Sequence, residues 1–182
     1  MIRAMTKTKV TLAFCWAIGL FAVLVVADEV DQKPADFVSE AFAGQAPERQ
    51  TFWITRRLRP QVNKIMERRY PVLKVKYWKR GERSVWILEE IGKVKPITTG
   101  FVIDQNRIAY VKVLIYRESH GWEIRRETFR KQFKTATLKE GYRLSRSIDG
   151  ITGATMSVNA GKNMARLALF LHGQVVEAER EQ

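Results

Sequence analysis

One stretch of the chain is dense in groups that could do chemistry: Asp149-Gly150-Ile151-Thr152-Gly153-Ala154-Thr155-Met156-Ser157. It offers three hydroxyls, on Thr152, Thr155 and Ser157, and one carboxylate. Gly150, Gly153 and Ala154 carry almost no side chain, so a bulky group can come close to the backbone. The apolar pattern that follows predicts a helix opening here. The N–H groups of a helix's first turn lack partners and the dipole adds positive potential, so such a place receives a phosphate. The stretch therefore reads as a phosphate-receiving turn with hydroxyl acceptors beside it, or as an ordinary helix entry with Ser157 or Thr155 as N-cap. It is not a P-loop, because the Gly-Lys-Ser/Thr ending is absent. A threonine hydroxyl is a poor nucleophile without a base. No self-sufficient activating set accompanies it, so no catalytic residue and no metal ligand is assigned. Asp149 either positions the hydroxyl or caps the turn.

A second candidate cluster is Glu118-Ser119-His120-Gly121. Glycine lets a flat ring approach, and His120 is either a hydrogen-bonding group near that ring or a solvent-exposed loop histidine. Trp78, Trp86 and Trp122 could stack on such a ring or serve ordinary packing. The Arg68-Arg69 and Arg125-Arg126 pairs read as solvated faces.

Positioning these groups falls to a set of short elements. Residues 28–50 read as a linker with one short helix near 35–43. Residues 51–70 place Ile54, Leu58, Val62, Ile65 and Met66 at helical spacing, with Pro60 as an interruption or a first-turn proline. Residues 72–79 and 84–91 alternate as the two strands of a hairpin around Gly81-Glu82-Arg83. Strands follow at 97–103 and 107–116, joined by the turn Asp104-Gln105-Asn106. A loop covers 117–124, a short helix 126–133, and Gly141 to Ile148 is extended. From Ser157 to Leu171 the positions Val158, Met164, Leu167, Ala168 and Leu171 share one face of a helix of roughly four turns. Residues 177–182 form a charged tail. The expected fold class is α+β, an antiparallel sheet packed with helices, with the C-terminal helix following the hydroxyl-rich turn.

The N-terminus has a different character. Residues 1–9 carry Arg3, Lys7 and Lys9, residues 10–27 carry no charge, and Asp28, Glu29 and Asp31 follow. This describes a secretory signal cleaved after Ala27, or a membrane anchor of 18 residues where roughly 20 span a bilayer. Both readings place the remainder on the far side of the membrane. The single cysteine, Cys15, lies inside that segment. Net charge is +13, of which residues 1–27 supply three, so the remainder is strongly basic. Export argues against nucleic acid as the partner and in favour of an anionic membrane surface or an acidic redox partner.

Residues 149–157 resemble the flavinylation signature of the FMN-binding domain family, an aspartate followed by a Ser/Thr-Gly-Ala-Thr core. That family includes the periplasm-facing flavin subunits of sodium-pumping NADH:quinone reductase and of the Rnf complexes. Thr152-Gly153-Ala154-Thr155 matches the core, Asp149 the leading aspartate, and Ser157 the hydroxyl two places on. The resemblance implies FMN held covalently, its phosphate on the Thr155 hydroxyl, attached by a separate FMN transferase that draws on FAD. It extends over residues 95–171. Strand 107–116 with Arg117-Glu118-Ser119-His120-Gly121 looks like the family's strand, glutamate and glycine loop, although His120 stands where larger subunits tend to have proline. Phe129 and Gln132-Phe133 are similar to the segment that follows.

The implied organisation is a signal or anchor at 1–27, a helix and strand region at 28–94, an FMN-binding core at 95–176 and a tail at 177–182. The implied function is an exported flavoprotein that passes electrons in the periplasm or at the outer face of the inner membrane. Its partners would be the transferase and redox proteins or a membrane electron-transfer complex. Two other readings compete. A non-redox basic module at the membrane surface is favoured by the charge. A flavin reductase with its own substrate would need an acid–base pair, which the sequence does not supply.

Overall fold

The structure is a computed structural model that describes residues 29–181; the expected signal or anchor segment lies outside the described residues. Eight strands and four helices follow in the order β1 (Glu29–Val30), α1 (Pro34–Ala41), β2 (Gln50–Trp53), α2 (Arg59–Met66), β3 (Lys74–Arg80), β4 (Arg83–Ile91), β5 (Pro96–Asp104), β6 (Arg107–Tyr116), α3 (Glu127–Lys131), β7 (Leu138–Lys139), β8 (Arg143–Leu144) and α4 (Thr155–Arg180). Six strands make one antiparallel sheet in the order β1-β6-β5-β4-β3-β2, and β7 pairs with β8 apart from it. The fold is α+β, as the hydrophobic pattern predicts.

From β2 to β6 the sheet is a meander. Each hairpin follows from its turn residues. Gly81 (φ +54) opens the two-residue loop between β3 and β4, where Arg80 opposes Arg83. Gln105 and Asn106 both take positive φ between Asp104 and Arg107, the primed geometry that matches strand twist.

The two faces of the sheet are covered unequally. Val75, Tyr77, Trp86, Leu88, Ile97, Phe101, Ile103, Ile108, Val111, Val113 and Tyr116 join the main core with α2 and α4. In β6 the spacing 108, 111, 113, 116 breaks strict alternation. Register shifts opposite Thr98/Thr99 and Val102/Ile103 each admit an extra residue, which returns the next side chain to the core face. On the opposite face, Phe37 and Val38 of α1 and Phe42 just after it cover Val85, Val102 and Leu114. Gly100 makes that contact possible: a Cβ there would lie 2.3 Å from the Phe37 ring.

Several elements differ from the sequence pattern. Residues 50–53 are a strand, and α2 begins only at Arg59 with Pro60 in its first turn. Strand β1 was not expected. Within 141–148 only Arg143–Leu144 is strand, because Gly141 and Tyr142 take positive φ and bend the chain. A 3-10 turn at Trp122–Arg125 occupies part of the expected loop. Helix α4 runs to Arg180, so residues 177–180 continue the helix where a frayed tail was expected; Val175 and Val176 keep its last turns buried.

Candidate functional site

Helix α4 starts at Thr155, with Ala154 as N-cap and no side chain capping it. Neither Thr155 nor Ser157 plays that part. The turn before it is closed by Ala154 N–H donating to Ile151 O at 2.9 Å, and Gly153 takes φ +82, a conformation that glycine adopts without strain. The uncapped first turn leaves backbone donors aimed out of the helix end, and no acidic residue occupies that turn. Thr155 is exposed, as are Thr152 and Gly153, while Ala154 and Ser157 are buried.

Strand β6 delivers the second cluster to this helix end. Its last residue, Tyr116, donates its hydroxyl to His120 O and lies 3.4 Å from Ser157 Oγ. Burial raises the Tyr116 phenol, an effect only partly offset by the Ser157 hydrogen bond, so it stays protonated and able to donate. Gly121 (φ +84) fits beneath the helix start: a Cβ there would lie 2.8 Å from Ser157 Oγ and 3.3 Å from the Ala154 methyl. The two stretches singled out in the sequence, 33 positions apart from Gly121 to Ala154, therefore touch.

A cleft of about 330 Å³ opens at this junction, lined by Lys93, His120, Gly153, Ala154, Thr155, Met156 and Ser157. His120 is exposed, and its Nδ1 lies 2.9 Å from Ser119 Oγ. Glu118 acts one step removed. Its carboxylate accepts the backbone N–H groups of Lys93, Val94 and Lys95 at 2.5, 2.6 and 2.9 Å, gripping the turn between β4 and β5. Burial would raise its pKa, but those three bonds and the Lys93 charge outweigh it and hold it below the usual carboxylate value. The consequence for the cleft is that Lys93 is carried on a fixed turn.

Lys93, Tyr116 and Met156 are site residues that sequence reasoning missed. Lys93 carries only a weak signal, a glycine-lysine step between two strands, and nothing local says that this turn meets α4. Asp149 is exposed; its N–H donates to Gln132 Oε1 at 2.7 Å, and its carboxylate makes no hydrogen bond among the described residues. Gly150 is exposed with open space around it. Among the tryptophans, Trp86 is fully buried and stacked on Tyr77 at 4.6 Å, so it cannot receive a further ring. Trp78 lies against the α1 face of the sheet, away from the cleft. Trp122 is exposed beneath Arg126. No group of three or more His, Cys, Asp or Glu able to hold a metal exists among the described residues.

The cleft suits a phosphorylated ligand carrying an extended apolar part. The uncapped start of α4 and Lys93 line it, the exposed Thr155 hydroxyl stands beside them, and Met156 offers apolar surface. Comparison with curated proteins and with solved structures yields no match. A family model does match. It covers residues 92–169, from the turn that Glu118 grips to the middle of α4, and it describes the FMN-binding domain. Residues 92–169 of this chain match the model of the FMN-binding domain.

Proposed function

We propose that this protein carries FMN covalently, as a phosphoester on Thr155 Oγ1, and passes electrons at the outer face of the inner membrane. The observation that supports attachment at Thr155 is its placement: of the three candidate hydroxyls, it is the one both exposed and on the first turn of the uncapped helix. Ser157 is buried against Tyr116 and Gly121, and Thr152 lies outside the cleft lining.

The flavin, once bound, supplies reversible redox chemistry, and the protein tunes it. The chain's own residues do the holding. The first-turn N–H groups of α4 and the Lys93 ammonium balance the phosphodiester charge. Gly153 and Gly121 keep the backbone clear on either side. Tyr116, by holding His120 O, fixes the loop that forms the cleft's far wall. No general base lies within hydrogen-bond reach of Thr155 among the described residues, which accords with attachment by a separate FMN transferase.

The test is co-expression with an FMN transferase followed by denaturation. Yellow colour and in-gel fluorescence should stay with the polypeptide. Thr155→Ala should abolish both, whereas Thr155→Ser should retain a measurable part. Colourless protein from the unaltered chain would refute covalent attachment.

A further inference from the structure

A second concave surface is built around the Trp122–Arg125 turn and shares no lining residue with the cleft at the start of α4. This groove of about 510 Å³ is lined by Asp31, Lys112, Trp122, Arg125, Arg126 and Arg130. Asp31 is consumed by a two-pronged ion pair with Arg125. Lys112, Arg126 and Arg130 form no ion pair among the described residues, although Arg130 lies near enough to Glu127 to favour its charged form. Arg130 donates to Arg125 O and Val111 O, which are neutral acceptors, and the Arg126 guanidinium lies over the exposed Trp122, 4.5 Å from the ring centroid. The groove thus concentrates positive charge beside an amphipathic ring, a combination suited to the phosphate layer of a membrane.

Chain connectivity fixes where the groove sits. Asp31 is itself part of its wall, and Asp31 N–H donates to Leu114 O at 2.9 Å. The uncharged run 10–27 ends four residues earlier, so at full extension at most about 14 Å separates its end from the groove. That is under two Debye lengths at physiological salt, where one is about 8 Å.

We propose that this groove is a docking surface for anionic phospholipid headgroups, seated on the same bilayer that holds residues 10–27. A soluble acidic protein would need no such tether beside its binding site, which is why lipid is the better occupant. The reading does not depend on flavin attachment, since neither groove nor lipid involves Thr155.

The test uses the full chain reconstituted into phosphatidylcholine vesicles with and without phosphatidylglycerol, each doped with a lipid whose headgroup carries a nitroxide quencher. Subtracting the signal of Trp122→Phe isolates Trp122. Its quenching should be stronger with phosphatidylglycerol and should fall away at about 1 M salt, where the Debye length is about 3 Å. In Lys112→Gln/Arg126→Gln, which breaks no side-chain hydrogen bond among the described residues, docking should weaken by roughly fivefold per cation removed. Equal Trp122 quenching on both vesicles would overturn the proposal, and quenching relieved by an added polyglutamate peptide on neutral vesicles would assign the groove to acidic proteins. Natively expressed protein that begins at Asp28 would overturn it as well, by removing the tether.

Discussion

Lys93 is the residue that most changes how the cleft works. It adds a positive charge to the cleft lining, and Glu118 holds its turn there by accepting the backbone N–H groups of Lys93, Val94 and Lys95. Lys93→Glu should therefore cut FMN loading by at least about tenfold, at roughly 1.4 kcal/mol per decade, with the melting temperature nearly unchanged because its turn is exposed. Loading is read from the ratio of flavin to protein absorbance. Glu118→Gln should lower both loading and stability, since an amide accepts more weakly than a carboxylate. Gly121→Ala combines a φ of +84 with a 2.8 Å approach to Ser157 Oγ, and should cost about 1–3 kcal/mol in urea unfolding. The hydroxyl-rich turn was legible because its chemistry is local: small residues, hydroxyls and a helix start are adjacent in sequence. Lys93 was not, because its role comes from a contact between the 92–95 turn and α4 that no local pattern encodes.

The strands were the most readable elements, and β6 shows why. Its β-branched and aromatic run extends over Arg107–Tyr116, ended by a primed turn on one side and a loop on the other. Residues 50–53 misled because Thr51, Phe52 and Trp53 pair with β3 only through tertiary register, while the helical spacing that follows them reaches back across the boundary. The length of α4 was underestimated because its later turns bury polar groups as well as apolar ones. His172, 1% exposed, is the chief example. Trp86 Nε1–H donates to Ser84 Oγ, which leaves the Ser84 hydroxyl to donate to His172 Nδ1 at 2.8 Å. The ring proton then belongs on Nε2, a buried atom with no partner. Burial, reinforced by Lys79, lowers the His172 pKa from 6.5 to about 4 despite Glu82, Glu179 and Asp104 nearby. The unfolded chain binds a proton below pH 6.5 that the folded chain refuses until about pH 4, so this group removes stability as pH falls through that window. The loss is at most about 3 kcal/mol. Urea midpoints for the wild type and His172→Gln, measured across that window, should converge as pH falls, since glutamine can still meet Ser84 but does not titrate. Parallel curves would assign the acid sensitivity to other groups.

At the scale of the whole chain, the sheet joins what the sequence presents as separate regions. Strands β2, β3 and β4 all precede the family-matched residues 92–169, yet they share a sheet and a core with β5, β6 and α4. The FMN-binding domain is therefore built on a platform contributed by the preceding chain. Strand β1 ties the first described residues to the end of β6, with Glu29 opposite Tyr116. Tyr116 in turn holds the loop that packs beneath the start of α4, so strand β1 and the hydroxyl-rich turn lie at the same end of the sheet. Segment 10–27 offers 18 uncharged residues where roughly 20 span a bilayer. A retained anchor would then hold the flavin near the membrane surface, within reach of membrane-bound redox partners. Intact mass of protein purified from native membranes tests the anchor and the attachment together. The expected mass is that of the full chain from its N-terminus plus one FMN less one water. A species starting at Asp28 with the flavin still present would keep Thr155 as the acceptor and remove the membrane seat. The full chain without added mass, in a host possessing the transferase, would do the reverse.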